Sequence, residues 1–376
     1  MVKTKIEKIS EKERNNLYER IWEIDLKDKK PGTWWWWFWV FFIENKNPQN
    51  EPEQLMILWS TKNDKEIKCN DKVLKFDNTI KVQKNKRIFD GAVAAWHFDG
   101  KKMHENFILE QCNLSLNKKP YSLISDSKKK TSFYEKNNKF IVNINTNEKE
   151  FIFNSEIKDN NKALAPTNTE SNYIKNRFGI KVLRIPKLDF DGIIKNSKQE
   201  QNIKGTAYFQ KVTVNTPSVP WYWGIFHFED GSIVSYFNPH IGTAILKDNL
   251  TKSCFTKGNI SLKKGIYFFD KKSGELHLFK NIKIKKETNE KNQPVFKISG
   301  KNKNTKIFFT IDCYSNAVWE FEKKFLKLFK TKLKYNEYPA KVTHFNLQDK
   351  QGKTLASLEN LGKGIGNAEH SWGVLL

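Results

Sequence analysis

Residues 219–238 read Val219-Pro220-Trp221-Tyr222-Trp223-Gly224-Ile225-Phe226-His227-Phe228-Glu229-Asp230-Gly231-Ser232-Ile233-Val234-Ser235-Tyr236-Phe237-Asn238, and the fold turns on how this stretch is read. Two runs of aromatic and β-branched residues flank Asp230-Gly231. Such runs favour strands, and Asp-Gly suits a two-residue type I′ turn, whose central residues both need φ > 0. A hairpin with that turn sets Phe228 opposite Ile233, His227 opposite Val234, Ile225 opposite Tyr236 and Trp223 opposite Asn238. Side chains alternate across a strand, so Trp223, Ile225, His227, Val234, Tyr236 and Asn238 are expected on one face. Tyr222, Phe226, Phe228, Ile233 and Phe237 make the other face, almost wholly apolar. Two readings of the first face stay open. It is a ligand cavity, aromatic with a few polar tips, or it is a second packed surface with one satisfied histidine.

Strand chemistry recurs in both directions from this hairpin. Residues 34–43, Trp-Trp-Trp-Trp-Phe-Trp-Val-Phe-Phe-Ile, are apolar on both faces and predict a strand buried on both sides. The run is half the roughly 20 residues a membrane-spanning helix needs. Further strands are expected at 55–59, 73–76, 79–83, 140–144, 151–153 and 178–190, with a hairpin over 90–109. Residues 154–176 read as a loop and 191–204 as a linker. The second half repeats the order: strands at 205–214, 295–299 and 306–311, and hairpins over 265–282 and 342–361. Helices are expected at 7–24 and at 317–330, where Val318, Phe321, Phe325, Leu328 and Phe329 have helical spacing. Many short strands with regular turns predict an all-β chain of two tandem antiparallel β-barrels with a few short helices. The expected divisions are a helical segment at 1–30, a first barrel at 31–200 and a second at 201–376.

Composition narrows the function. The chain of 376 residues carries 28 Phe, 12 Trp and 11 Tyr, enough large rings for a sizeable core. Its net charge of +24 suggests nucleic acid at first sight. Only Arg14, Arg20, Arg87, Arg177 and Arg184 supply guanidinium groups, however, and the lysines are spread through every loop. Specific nucleic-acid recognition favours the arginine fork, so none is expected. A loose attraction of the lysines to anionic membrane surfaces stays open. Cys69, Cys112, Cys254 and Cys313 match no zinc spacing and read as free thiols of a reducing compartment. The N-terminus lacks a signal-peptide core, so a cytoplasmic protein is expected. His97 and His104 fall on one face of a hairpin, but no third ligand accompanies them, and no metal is expected. Gly362–Gly366 is not followed by a strand–turn–helix pattern, so it is not a phosphate loop. No cofactor is expected either.

A family resemblance rests on particular motifs. Gly205-Thr206-Ala207-Tyr208, then Trp221-Tyr222-Trp223, then Glu229-Asp230-Gly231 and Tyr236 resemble the carotenoid 1,2-hydratase and AttH-like family. Paired tryptophans in 34–37 and the closing Gly364-Ile365-Gly366-Asn367-Ala368-Glu369 are similar to further marks of that family. The resemblance implies two lipocalin-like barrels and a hydrophobic, often isoprenoid, ligand. Plant tocopherol cyclases and fungal lipocalin-like pericyclases look alike in architecture. Two departures stand out. The family's His-x-Trp pair is replaced by Gln210-Lys211-Val212, and its Tyr-x-Asp pair by Tyr236-Phe237-Asn238. Protonating an isolated alkene requires a strong acid, and Asn238 cannot be one.

The expected catalytic residues are His227, Tyr236, Asn238 and Gln210. The expected ligand-binding residues are Trp35, Trp37, Tyr208, Trp221, Trp223 and His240. Each has a plainer reading, as core aromatic, loop histidine or solvated polar group. The leading expectation is a hydratase-like protein that hydrates, cyclises or isomerises a hydrophobic small molecule without a cofactor. The alternative is a non-catalytic carrier of an isoprenoid or fatty ligand. A purely structural barrel pair would have its cavities plugged by side chains. No oligomeric state follows from the sequence.

Overall fold

The run 34–43 has no polar side chain to present to water on either face, and it forms an inner strand. In the computed structural model, Trp34–Ile43 pairs antiparallel with Glu53–Lys62 on one edge and Glu200–Asn215 on the other. The structure describes residues 16, 18–24, 31–44, 47, 49–77, 79–156, 167–174, 178–242, 260–261, 264–325 and 329–375. The chain divides into two units, one ending at Thr216 and one spanning Pro217–Leu376. The fold is all-β, with antiparallel sheets in both units. No helix among the described residues is long and apolar enough to cross a membrane.

In the first unit the sheet closes on itself as a ten-strand antiparallel barrel. Closure comes from Lys149–Glu156 pairing with Phe178–Asn196, which pairs in turn with Glu200–Asn215. Alternation sends Trp35, Trp37, Trp39, Phe41 and Ile43 inward. There they meet Trp59, Phe133, Phe153 and Phe209, with Phe41 stacked on Phe153 at 3.8 Å and Trp39 against Phe209 at 4.8 Å. Residues 18–24 fill the remaining space with Ile21, Trp22 and Ile24. Their backbone is gripped from the strands. The Trp37 indole donates to the Ile21 carbonyl at 2.7 Å, and Arg87 donates to that of Ile24. Lys211 donates to the carbonyls of Arg20, at 2.5 Å, and Glu23.

In the second unit the sheet runs Glu275–Phe279, Gly265–Asp270, Ile233–Ile241, Trp221–Phe228, Gly364–Gly373, Phe329–Asp349, Thr305–Cys313, Pro294–Lys301, Asn281–Thr288. Its end strands are joined through the single residue Lys280 but, among the described residues, do not pair with each other, so the sheet rolls around one core as an open barrel without the closure of the first. A Cβ on Gly300 would lie 3.0 Å from both Ile266 and Phe279, which shows how closely the ends approach.

Several sequence expectations change. The boundary falls at 216/217 rather than 200/201, because Glu200–Asn215 completes the first barrel. The linker expected at 191–204 lies mostly within the strands Phe178–Asn196 and Glu200–Asn215; its polar residues are the outward positions of a hairpin. Residues 167–174 form a strand rather than a loop. The helix expected over 317–330 is a hairpin of Ala317–Phe325 and Phe329–Asp349. There Glu322 pairs with Lys330 and Glu320 with Lys332, each at 2.7 Å, and opposite charges across a strand pair stabilise it. Of the expected N-terminal helix, residues 16 and 18–21 are helical and most of the rest lies outside the described residues. Cys254 lies outside them as well.

The hairpin of 219–238 forms, but with a three-residue loop. Phe228 N–H donates to the Ser232 carbonyl at 2.9 Å and Gly231 N–H to that of Phe228 at 3.0 Å, with Gly231 at φ 91°. This is a type I turn followed by a left-handed residue, not a type I′ turn. The register shifts by one: His227 faces Ile233, Gly224 faces Tyr236 and Tyr222 faces Asn238. Trp223 and His227 therefore do not share a face with Tyr236 and Asn238.

Glycine at 366 is a packing requirement. A Cβ there would sit 2.0 Å from the Ile225 carbonyl oxygen and 2.6 Å from the Phe226 ring. Overpacking of this kind costs about 1–3 kcal/mol or more. Gly366→Ala is expected to lower the thermal midpoint by several degrees, measured by circular dichroism; an unchanged midpoint would contradict this packing.

Candidate functional site

The corrected register gathers a polar group inside the second barrel. Tyr222, Asn238, His370 and Asn336 lie along one row of neighbouring strands, because Tyr222 faces both Asn238 and His370 and His370 faces Asn336. Tyr236 and His240 are on the same inward face as Asn238, two residues to either side. Lys286, opposite Phe296, faces the same interior. The Tyr222 ring is stacked between two imidazoles, His370 at 4.7 Å and His240 at 5.2 Å. Gly224 makes room for Tyr236, since a Cβ there would lie 2.6 Å from the ring.

Among the described residues, four buried atoms of this group have no hydrogen-bond partner: Tyr236 Oη, Asn238 Oδ1, His240 Nε2 and His370 Nδ1. Each such group costs about 1–3 kcal/mol when left unpaired, so their convergence marks a place built to be satisfied by something else. Geometry also fixes a tautomer. His240 Nδ1 lies 3.1 Å from the Asn238 carbonyl oxygen. A carbonyl only accepts, so Nδ1 carries the hydrogen and Nε2 keeps a lone pair. Burial lowers the pKa of His240. Burial, then the charge of Lys286 and the neighbouring His240, hold His370 well below the usual histidine range. Burial pushes the Tyr236 hydroxyl well above its ordinary value. At neutral pH the site holds two neutral imidazoles and one neutral phenol.

A second centre lies on the opposite face of the same sheet. Glu337 and Glu369 are direct partners on neighbouring strands, and both are buried. Glu369 accepts from the Tyr335 hydroxyl at 2.7 Å and the Trp221 indole at 2.8 Å. Glu337 accepts from the Trp319 indole at 3.1 Å. Burial and the neighbouring Glu337 raise Glu369 to about 8, so one proton stays with the pair at neutral pH.

The expected site residues thus separate. Tyr236, Asn238 and His240 converge inside the second barrel. Trp221 serves Glu369 on the outer face, which also carries Trp223 and a buried His227. Gln210 and Tyr208 lie on the outward face of the first sheet, where the Tyr208 hydroxyl donates to Gln210 at 3.0 Å. Trp35 and Trp37 face the filled interior of the first barrel. Trp35 borders a cavity of about 20 Å3 with Ile24, Thr61 and Phe89, room for roughly one water. His97 is hydrogen-bonded to Glu53 and His104 to Asp99, each at 2.7 Å. Among the described residues no cluster has three or more metal-ligating side chains. His370, Lys286 and Glu337 were not singled out by sequence. Only alternation through Gly364-x-Gly366 hinted that His370 would point inward.

No family model and no curated protein matches this sequence. Among solved structures, the chain is similar to a protein provisionally assigned as an AttH from Nitrosomonas europaea. Identity is 11 %, coverage 90 % of this chain and 92 % of the other, and the TM-score 0.44. It is also similar to kievitone hydratase from Nectria haematococca, at 11 % identity, 93 % coverage of each chain and a TM-score of 0.39.

The Glu369 shift has a stability consequence. Its folded pKa lies above the ordinary carboxylate value, so the native state binds more protons between pH 4.5 and about 8. Stability is fully present below that window and falls as pH rises through it. Buried His240 and His370 act in the opposite sense below pH 6.5, so the Glu369 contribution is read above it: the thermal midpoint of Glu369→Gln is expected to gain on the wild type from pH 6.5 to pH 8. A wild-type slope retained in the variant would assign it to other groups.

Proposed function

We propose that the second barrel binds a hydrophobic small molecule of the isoprenoid or polyene kind and moves protons on it without a cofactor. The observation that carries this reading is the convergence of Tyr236 Oη, Asn238 Oδ1, His240 Nε2 and His370 Nδ1, unpartnered and buried, within an apolar barrel. Apolar walls from Phe296, Tyr338 and the Tyr222 ring suit a flat, unsaturated ligand. The chemistry that fits is base-initiated. His240 Nε2 takes a proton from water or from a ligand hydroxyl as the oxygen adds to a double bond conjugated with a carbonyl; the π pair moves to the carbonyl oxygen, and the resulting enolate takes the proton back from His240 at carbon: hydration in the first case, ring closure in the second. Taken from carbon, the same proton shift is an isomerisation. Tyr236 is suited to donate a hydrogen bond to the oxygen that gains charge, and the positive charge of Lys286 favours the same build-up.

The carrier reading is supported by a separate observation. The buried carboxyls of Glu337 and Glu369 lie on the other face of the sheet, so the interior group has no carboxylic acid for making a carbocation.

Native mass spectrometry followed by solvent extraction identifies the bound class of molecule. With a turned-over ligand in hand, Tyr236→Phe and His240→Gln are each expected to slow turnover by about 100-fold or more while leaving binding within a few-fold. Binding without turnover in the wild type would establish the carrier. Unchanged turnover in both variants would remove the catalytic roles assigned to them.

A further inference from the structure

The outer face of the second unit carries several large apolar side chains that stay partly exposed. Phe237 is 38 % exposed, Tyr267 38 %, Leu276 36 % and Leu278 47 %. They lie on three neighbouring strands, Ile233–Ile241, Gly265–Asp270 and Glu275–Phe279. Tyr267 faces Leu278, Leu276 faces Phe269, and Phe237 faces Gly265 next to Tyr267. Their alternates, Tyr236, Ile266, Phe268 and Phe279, fill the core, so the outward direction is forced by alternation. Exposed apolar residues are ordinary when scattered and mark an interaction surface when they adjoin.

Lysines border this face. The Asn302 amide donates to the Leu278 carbonyl at 3.1 Å and holds the turn at 301–305 against the strand. That turn brings Lys301 and Lys303, with Lys306 directly opposite Lys301. Lys280 follows the strand itself, and Lys283 points outward from the next. These five are exposed and, among the described residues, none forms an ion pair. Elsewhere in the unit lysines are paired, as Lys285 and Lys297 are with Glu287. Like charges facing each other across a hairpin, as Lys301 and Lys306 do, are destabilising, so folding alone does not account for them. The acids nearby are engaged. Asp270 is buried and accepts from Lys272 N–H and the Ser273 hydroxyl, and Glu275 lies 3.8 Å from His277. Lys271 and Lys272 in that same turn are exposed and add to the positive rim.

We propose that this face docks the protein on an anionic lipid bilayer, with Tyr267, Leu278 and Phe237 entering the headgroup layer and the lysine rim meeting acidic headgroups. An amphipathic surface of apolar residues bordered by exposed lysines is what such a membrane recognises. A nucleic acid or an acidic protein would use the lysines and leave the apolar group unexplained. A second copy of the chain would bring a like-charged rim against this one.

The test is vesicle flotation of the full chain with phosphatidylcholine alone and with about one-third phosphatidylserine added. Binding is expected only to the anionic vesicles and is expected to weaken steeply with salt. Lys280→Gln, Lys283→Gln and Lys301→Gln combined should reduce it about tenfold or more. Tyr267→Ser with Leu278→Ser should reduce it severalfold at equal charge. These positions are exposed, and melting curves like the wild type's check that the variants are folded. No binding to anionic vesicles would overturn the proposal. So would binding that ignores the apolar substitutions, which would mean simple polyanion attraction. Concentration-dependent dimerisation abolished by those substitutions would assign the face to self-association instead.

Discussion

The hydrogen bond from Phe228 N–H to the Ser232 carbonyl decides what the second barrel contains. It closes a loop of three residues, Glu229-Asp230-Gly231, where a loop of two would flip every side chain of one strand to the other face. The loop is held by several contacts. Asp230 accepts from the Ser232 backbone N–H and hydroxyl, each at 2.8 Å. Glu229 and Asp230 donate their own N–H groups to the carbonyls of Lys363 and Leu361. The turn is thereby tied to the chain entering Gly364–Gly373, and the register of that strand is coupled to it. Only with this register do Tyr222, Asn238 and His370 share an interior.

The two polar centres are opposite faces of one sheet under one physical influence. Gly364–Gly373 supplies Glu369 to the outside and His370 to the inside, as alternation requires. Its glycines at 364 and 366 let the rings of Phe228 and Phe226 lie across the strand, which is the packing meaning of the Gly-x-Gly pattern. Burial then acts in opposite directions on the two residue types, because it disfavours whichever form is charged. It lowers the histidines and raises the glutamate. The result is a neutral base on one side and a neutral acid on the other. A carbocation route needs an acid at the ligand, and an anionic route needs a base there. The interior has the base.

The all-β architecture was legible because its signals are local and repeated: the aromatic run at 34–43, the Asp-Gly turns, the alternating polar strands. What failed were cases where two periods fit the same residues. Val318, Phe321, Phe325, Leu328 and Phe329 satisfy helical spacing, yet Glu320 and Glu322 find Lys332 and Lys330 only across a hairpin, and that pairing is invisible without the partner strand. Residues 191–204 looked like a linker because a strand's outward positions are as polar as a loop. The Asp-Gly turn was recognised and its length was not, since Asp-Gly serves both loop types. That one residue explains why Tyr236 and Asn238 were grouped with Trp223 and His227, which lie on the opposite face. His370, Lys286 and Glu337 are lone polar residues in apolar strands, and only the assembled sheet shows what they face.

The two units also divide the uses of aromatic residues. The first barrel spends its tryptophans on packing: Trp39 is boxed by Phe41, Phe133, Phe140 and Phe209, and residues 18–24 seal what remains. Its buried polar atoms without partners include the indole N–H groups of Trp22, Trp35 and Trp39, which sit among rings and offer no lone pair. Among the described residues, the second barrel's unpaired atoms include three that accept, Asn238 Oδ1, His240 Nε2 and Tyr236 Oη, of which the phenol also donates. A ligand with a hydroxyl or phenol could satisfy them, whereas a pure hydrocarbon could not. Carrier and enzyme both need that match. They differ in what the His240 lone pair meets. If the bound hydroxyl lies beside a conjugated double bond, the same hydrogen bond that holds the ligand is the path along which its proton leaves, and binding and chemistry become one geometry.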